Sequence, residues 1–426
     1  MQVFDELLTE IEQIPAIDIH SRIRADSPGA ADLSDIVLGD GIVSDLRSAG
    51  VSPELLETEG TKKKVYELAG HLEKIKNTTT YWCLTQILDG LYQTERPAHE
   101  SDVDELWGKV EQSAGDPNRP STVLDRANVS KVLVACDWYR AVPAASERFV
   151  PVVRLDRLIN EPFSPKVLDA LAEMSGQTVY EAGDLSKAVA ELLRKAAGSG
   201  SVAVCASFEP HIDFERGSRD SADRILSLVL LRQKTNRDDR KALRSYVMDQ
   251  VLKACADHGM VFQLMLGLRR AAGERRISAF ETGMLSAYSD LFARHPNVKF
   301  DVFAADETLG RELAVVARNY ANVYLSGHWC YGAFPTRMRN SIRERIEMLP
   351  MGKSCGFLSD AGCVEWVYAM AVLTRRELAL ALSQMVDEGY LSRSCAGEAA
   401  RSYLLENPKR LYKIEQTGSG FKEESD

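Results

Sequence analysis

The stretch "IPAIDIHSRIRAD", residues 14–26, is largely apolar up to Ile19 and then turns polar at His20. A short β-branched run with little alternation is typical of a parallel strand that is buried on both faces. In a barrel of parallel strands, the reactive side chains follow the C-terminal ends of the strands. We therefore predict a buried strand that carries His20 to the mouth of a barrel. Arg22, two residues further on, should lie on the same side of that strand.

Seven further runs of this kind follow along the chain. They are "VSKVLVAC" (129–136), "FVPVVRL" (149–155), "SVAVCASF" (201–208), "MVFQLML" (260–266), "VKFDVF" (298–303), "NVYLSG" (322–327) and "SCGFLS" (354–359). Segments with apolar residues three and four apart, as in amphipathic helices, separate most of them. Eight strands that alternate with helices predict an α/β fold, a (β/α)8 TIM barrel. The alternative is a doubly wound open sheet, although no Gly-rich nucleotide loop follows the first strand.

Two regions interrupt this repeat. Residues from about 50 to 125 separate the first two predicted strands and are mostly helical in pattern, so we predict a helical insertion that caps one end of the barrel. The tail, residues 415–426, is polar and rich in Gly and Ser, which predicts disorder. The predicted organisation is thus one barrel domain over residues 1–414, including the insertion, followed by a disordered tail.

Composition excludes several classes of protein. The net charge of −10 over 426 residues argues against nucleic acid as the main partner, because phosphate binding needs a basic surface. No apolar stretch is long enough to span a bilayer, and the N-terminus lacks the basic start and apolar core of a signal peptide. The eight cysteines are scattered and form no CxxC pair, which favours reduced thiols. We expect a cytoplasmic protein with no membrane partner.

The residues that close the apolar runs are the candidates for chemistry, since they would gather at the mouth of the barrel. They are His20, Arg22, Asp137, Arg154, Asp156, Ser207, Glu209, His211, Met265, Arg269, Arg270, Asp306, His328, Trp329 and Asp360.

Several of these segments resemble one known family. The segments "IDIH", "FLSD" and "LLENPKRLY" together resemble the amidohydrolase superfamily, and within it the uronate (glucuronate) isomerases. Further similarity lies in "PVVRLDRL", "VFQLMLGLRR" and "YLSGHWCYGA", so that the resemblance covers residues from about 10 to 414. It implies a metal-assisted aldose–ketose isomerisation of a hexuronate. In that family a His-x-His pair on the first strand and an Asp on the eighth hold a divalent metal, and arginines bind the substrate carboxylate.

The residues of this chain match that pattern only in part. His20 matches the first metal ligand and Asp360 the acid of the eighth strand, and Arg154 and Arg270 match two of the arginines. The second histidine of the pair is replaced by Arg22. The histidine of the fifth strand is replaced by Met265, and an arginine after the eighth strand by Gly362.

These departures predict a degenerate metal site. Two protein ligands hold zinc poorly, and a permanently charged guanidinium next to His20 repels a cation. We expect either no cofactor or a divalent metal, zinc or manganese, held weakly by His20 and Asp360. We hypothesise that Arg22 occupies the vacated metal position and pairs with Asp360, and that its removal costs about 3–5 kcal/mol if the pair is buried.

The resemblance favours a uronate isomerase-like protein that acts on or binds a sugar acid. Its catalytic candidates are His20, Arg22 and Asp360, and its substrate-binding candidates are Arg154, Arg270, His211, His328 and Trp329. Salt-bridged framework, surface or rim packing remains the alternative for each of the second group. One alternative function is a metal-free, inactive homologue that serves in binding or assembly; another is a diverged hydrolase or lyase. The expected partners are a small-molecule sugar acid and further copies of the chain, with no nucleic acid.

Overall fold

Seven parallel strands form one curved sheet in the computed structural model, which describes residues 2–56, 61–94, 102–270, 276–278 and 284–414. The strands of the chain are β1 (Ala16–Ser21), β2 (Val129–Asp137), β3 (Phe149–Arg154), β4 (Ala203–Phe208), β5 (Val261–Leu266), β6 (Leu268–Arg270), β7 (Arg276–Ser278), β8 (Phe300–Ala304) and β9 (Val323–Leu325). The order in the sheet is β1-β2-β3-β4-β5-β8-β9, and all neighbours in it are parallel. The short strands β6 and β7 form a separate antiparallel ribbon that the sequence did not predict.

The eighth predicted run closes this sheet into a ring without forming a regular strand. The carbonyl of Cys355 accepts a hydrogen bond from the Gly327 amide, just after β9, at 2.7 Å. The carbonyl of Phe357 accepts from the amide of Ile19 in β1 at 3.0 Å. Because residues 354–361 thus join both edges of the sheet, the prediction of a TIM barrel is confirmed.

Burial explains why the strands are nearly continuous in hydrophobicity. Every residue of β1, β5 and β8 is buried, since the barrel interior covers one face and the surrounding helices cover the other. Five polar residues are nevertheless buried in these strands and need hydrogen-bond partners: Asp18, His20, Ser21, Gln263 and Asp301.

Helices surround the barrel and account for most of the chain. They are α1 (Gln2–Glu12), α2 (Leu33–Val37), α3 (Asp40–Ser48), α4 (Pro53–Leu56), α5 (Thr61–Ala69), α6 (Thr79–Tyr92), α7 (Val103–Ala114), α8 (Arg119–Arg126), α9 (Asp156–Asn160), α10 (Pro165–Ser175), α11 (Ala182–Gly198), α12 (Arg219–Leu230), α13 (Arg237–His258), α14 (Met284–Arg294), α15 (Glu307–Asn319), α16 (Pro335–Met348), α17 (Val364–Asp387), α18 (Arg393–Arg401) and α19 (Asn407–Tyr412). A π-helical turn, Ser402–Glu406, joins the last two.

The region between β1 and β2 contains helices α2 to α8, which span the predicted insertion. Part of it packs on α17, where the Tyr92 hydroxyl donates to the carboxylate of Glu365 at 3.3 Å. The eight cysteines are free thiols. Across the described ranges, no helix is both long and apolar enough to cross a membrane. The tail predicted to be disordered, residues 415–426, lies outside the described residues.

Candidate functional site

His20 lies at the C-terminal end of β1, inside the barrel mouth, and is 3% exposed. Its ring packs edge-on against Phe303 of β8, with ring centroids 5.9 Å apart. The Nδ1 atom lies 2.8 Å from the Oε1 atom of Gln263 in β5. Burial lowers the pKa of His20 below its ordinary value, against the opposing influence of the Asp360 charge, so the imidazole is neutral at neutral pH.

Arg22 and Asp360 form an ion pair beside His20. The Arg22 Nε atom lies 3.0 Å from the Asp360 Oδ1 atom, and the same nitrogen donates to the Asp360 carbonyl at 3.1 Å. The backbone holds this geometry, because the Asp360 amide donates to the carbonyl of His20 at 3.1 Å. The pairing that the sequence predicted is therefore confirmed. The two side chains are 39% and 21% exposed, however, so the pair is partly exposed rather than buried.

Asp360 has a backbone conformation that few residues adopt. Its φ is +49°, in the left-handed region, where Asp is tolerated better than most side chains. The turn is held by hydrogen bonds to Asp18, a fully buried residue of β1. The Asp18 carboxyl accepts from the Ser359 amide at 2.9 Å and from the Ser359 hydroxyl. Burial raises the pKa of Asp18 to about 7, although these donors oppose the shift. Asp18 thus ties the loop that carries Asp360 to the strand that carries His20.

A second ion pair lies at the ends of β2 and β3. Arg154 donates to the Asp137 Oδ1 atom from Nε at 3.0 Å and from Nη2 at 2.7 Å. Partial burial opposes the ionisation of Asp137, but the guanidinium prevails and holds the pKa of this carboxyl below its usual value. The Arg154 side chain is still 43% exposed, so one edge of the guanidinium can reach a bound molecule.

Asp156 follows Arg154 by two residues; it was among the strand-end candidates, but the sequence assigned it no role in catalysis or binding. Its carboxylate accepts from the Ser207 amide of β4 at 3.0 Å. Burial raises its pKa, and the hydrogen bond from the Ser207 amide and the charge of Arg154 only partly counter this effect. Its position directly after a barrel strand is the signal by which the sequence named it a candidate.

The other predicted substrate-binding residues lie in different environments. His328 is 4% exposed, and its Nε2 atom lies 2.9 Å from the Tyr403 hydroxyl. Burial lowers its pKa well below the ordinary value, and Trp329 beside it is 6% exposed. His211 lies on the loop after β4, half exposed, 3.5 Å from Glu209. The backbone of Arg270 belongs to β6, but its side chain lies outside the described part of the structure.

The described residues do not fit a divalent metal. No group of three or more His, Cys, Asp or Glu side chains among them could hold a metal ion. Asp360, which would supply the acidic ligand, already pairs with the guanidinium of Arg22. Met265 is buried in β5, and a thioether is a poor ligand for zinc or manganese. The positive charge that a metal would bring is therefore supplied, in this arrangement, by Arg22.

Known proteins that are similar in sequence to this chain align with most of its length. No family model matches the chain. The uronate isomerase of Corynebacterium efficiens is 23% identical to it over 450 residues, which cover 96% of this chain and 95% of the relative. The uronate isomerase of Mesorhizobium japonicum is 22% identical over 400 residues, covering 87% and 84% of the two chains. The chain is therefore similar over nearly its whole length to proteins named uronate isomerase.

The fold agrees with this relationship. The crystal structure of the glucuronate isomerase from Caulobacter crescentus matches with a TM-score of 0.86 and 20% identity, over 98% of this chain and 95% of that one. The uronate isomerase from Thermotoga maritima matches with a TM-score of 0.85 and 18% identity, over 96% and 97%. A putative metal-dependent hydrolase from Lactobacillus casei matches at 0.60 with 15% identity, over 96% and 97%. The resemblance to uronate isomerases inferred from the sequence is confirmed.

Proposed function

We propose that this protein binds a hexuronate at the C-terminal mouth of the barrel and interconverts its aldose and ketose forms. Relatives named uronate isomerase align with nearly the whole chain, which supports the reaction class. The single observation that carries the proposal is the arrangement of His20, Arg22 and Asp360. A neutral imidazole, a fixed cation and a carboxylate lie together where a barrel enzyme places its chemistry.

The proposed reaction needs proton transfers and no change of oxidation state overall. The hydrogen on C2 of the open-chain aldose leaves as a proton, and a proton is added at C1. The proton on O2 is lost and one is gained at O1, so that the carbonyl moves from C1 to C2. Two proton acceptors, the His20 imidazole and the Asp360 carboxylate, would handle the carbon-bound and oxygen-bound protons.

Arg22 has an electrostatic role in this proposal. Proton removal from C2 leaves an enediolate whose negative charge lies on O1 and O2. A fixed guanidinium at the mouth would stabilise that charge as it develops, because a preorganised cation needs no reorganisation during the reaction. The pairing with Asp360 keeps Arg22 oriented before the substrate binds.

Recognition of the sugar acid would use the surrounding residues. The exposed edge of Arg154 is available to the substrate carboxylate, for which a planar guanidinium is well suited. Arg270 is proposed for the same carboxylate, and His211 for the sugar hydroxyls. His328 and Trp329 are nearly fully buried, so in this proposal they form the wall behind the substrate rather than its first contacts.

The proposed reaction uses no metal, because the described residues do not fit one. Zinc or manganese held weakly by His20 and Asp360 would have to displace Arg22 from its carboxylate partner. The proposed proton transfers therefore use only side chains of this chain. Elemental analysis of protein dialysed against zinc and manganese measures the alternative directly. One ion retained per chain would reverse the assignment of Arg22 as the cation of the site.

The test is a direct assay with glucuronate, followed by proton NMR for the appearance of the ketose. We expect turnover by the wild-type protein and its loss in the Asp360→Asn variant. Asp26→Asn is the matched control, because Asp26 is an exposed acid that pairs with Arg24 outside the site. Binding of glucuronate without any ketose formation would overturn the isomerase proposal and leave a sugar-acid binding protein.

A further inference from the structure

A chain of buried hydrogen bonds leads away from His20 into the barrel. The Gln263 Oε1 atom contacts the His20 Nδ1 atom at 2.8 Å, and the Gln263 Nε2 atom lies 2.9 Å from the Tyr412 hydroxyl. That hydroxyl lies 2.5 Å from the Oδ2 atom of Asp301. All four side chains are at most 3% exposed, and they come from β1, β5, α19 and β8. We call Asp301, Tyr412, Gln263 and His20 the buried polar chain.

The direction of each hydrogen bond in the buried polar chain follows from what each group can donate. The Gln263 Nε2 atom also lies 2.7 Å from the carbonyl of Ile19, which can only accept. The Tyr412 hydroxyl directs its single proton at Asp301, so it too accepts from Gln263. Two acceptors therefore face the Gln263 amide nitrogen. A flipped amide would set its oxygen against the Ile19 carbonyl and leave both acceptors unpaired at a cost.

The orientation of the Gln263 amide determines which ring nitrogen of His20 carries the proton. Because the amide oxygen faces His20, the Nδ1 atom must carry the proton that it donates. In a neutral imidazole the other nitrogen, Nε2, then holds the lone pair. Within the described ranges the Nε2 atom makes no hydrogen bond to protein. The lone pair of His20 is thus kept on the nitrogen opposite the buried polar chain.

We propose that Gln263, Tyr412 and Asp301 are positioning residues that hold His20 as the Nδ1–H tautomer and thereby make its Nε2 atom the proton acceptor of the site. This inference rests on the proposed function, in which His20 accepts a substrate proton. The wrong tautomer would present an N–H in place of a lone pair, and such an imidazole cannot accept a proton at that position. Side chains from three strands and the last helix thus together fix which nitrogen of His20 carries the lone pair.

The first test is the ring nitrogen spectrum of His20 in the full-length protein. Protein labelled with 15N-histidine is compared with a His20→Asn sample, which identifies the His20 signals by their loss. We expect a protonated Nδ1 signal and an unprotonated Nε2 signal at neutral pH. A protonated Nε2 with an unprotonated Nδ1 would overturn the proposal, whether or not the protein turns over glucuronate.

The second test removes the orienting group. In Gln263→Met the two tautomers should both become populated, and kcat should fall by about 10- to 100-fold, the range seen when the hydrogen-bond partner that orients a metal-binding histidine is removed. KM should change little, because Gln263 is fully buried and does not touch the substrate. An unchanged His20 spectrum in this variant would contradict the proposal. Tyr412→Phe removes one of the two acceptors and should change the tautomer populations and kcat in the same direction, but less. It replaces Gln263→Met as the test variant if Gln263→Met does not fold.

The control is Tyr288→Phe. Tyr288 is fully buried, and its hydroxyl also makes one hydrogen bond, to the Ile212 carbonyl at 3.3 Å, but it lies outside the buried polar chain. We expect this variant to keep the wild-type His20 spectrum and turnover. A change as large as that of Tyr412→Phe would mean a general packing effect and would count against the proposal. If wild-type protein shows the expected tautomer but no ketose forms, the proposed function fails while the assignment of the tautomer stands.

Discussion

Arg22 and Asp360 are 338 residues apart in the sequence, yet the Arg22 Nε atom lies 3.0 Å from the Asp360 carboxylate and 3.1 Å from its carbonyl. This double contact joins the start of the barrel to its closing segment. It also places a guanidinium beside His20, at the position where the resemblance inferred from the sequence implies a second metal ligand.

The Arg22–Asp360 pair should contribute modestly to stability. Both side chains are partly exposed, so water screens the attraction, and a double-mutant cycle with Arg22→Ala and Asp360→Asn should give a coupling of about 1 kcal/mol. That is below the 3–5 kcal/mol expected if the pair were buried. Urea unfolding measures it. The Arg24–Asp26 pair, exposed on both sides, is the control, with an expected coupling near zero. A coupling above about 3 kcal/mol would mean that the pair is desolvated in solution.

The Arg22→His substitution should create metal affinity. It removes the cation from the mouth and adds a second imidazole two residues from His20, directly after the end of β1. We expect isothermal titration with zinc to show one site in this variant and none in the wild type. Arg22→Gln separates the two effects, because it removes the charge without adding a good ligand. Equal zinc binding by Arg22→Gln and Arg22→His would mean that charge alone excludes the ion.

Arg154→Met should weaken binding of the sugar acid. Loss of the accessible guanidinium should raise KM about tenfold or more, since a charge-assisted hydrogen bond contributes about 1.5–3 kcal/mol, while kcat changes less. Steady-state assays at several glucuronate concentrations measure this. Arg148→Met is the control: Arg148 also pairs with an acid, Asp125, but precedes β3 at the opposite end of the barrel. An unchanged KM in Arg154→Met would assign Arg154 to the framework with Asp137.

Asp301 should make stability depend on pH. Burial raises its pKa to about 6, although the Ser326 and Tyr412 hydroxyls oppose the shift. The folded state therefore binds the proton more tightly than the unfolded state. The stabilisation from this proton is complete below the ordinary aspartate pKa and is lost as pH rises through about 6.

The comparison that isolates this effect is wild type against Asp301→Asn, in which a neutral side chain still accepts from Tyr412. Between pH 4.5 and 7, wild type should lose about 2 kcal/mol of unfolding free energy relative to the variant. Urea unfolding at intervals across this range measures the difference. A difference that stays constant with pH would show that Asp301 does not change its protonation in the folded protein.

The sequence by itself determined the barrel and one side of its mouth. Continuous apolar runs are buried on both faces whatever their neighbours, so their number and spacing were enough to predict parallel strands and the closing role of residues 354–359. His20 and Arg22 follow from alternation along a single strand, a local property. The pairing of Arg22 with Asp360 could also be predicted, because the first and eighth strands of a closed barrel are neighbours.

Only the tertiary structure decided how exposed that pair is and which group orients His20. The contact between His20 and Gln263 spans 243 residues, and that between Tyr412 and Asp301 spans 111. Such contacts depend on the stagger of strands around the barrel and on where the last helix docks. Local sequence patterns predict neither of these. A buried polar residue in an apolar run, such as Gln263 in "VFQLML", signals that a partner must exist, since an unpaired buried amide is costly. The identity of that partner is set by the packing of the whole barrel.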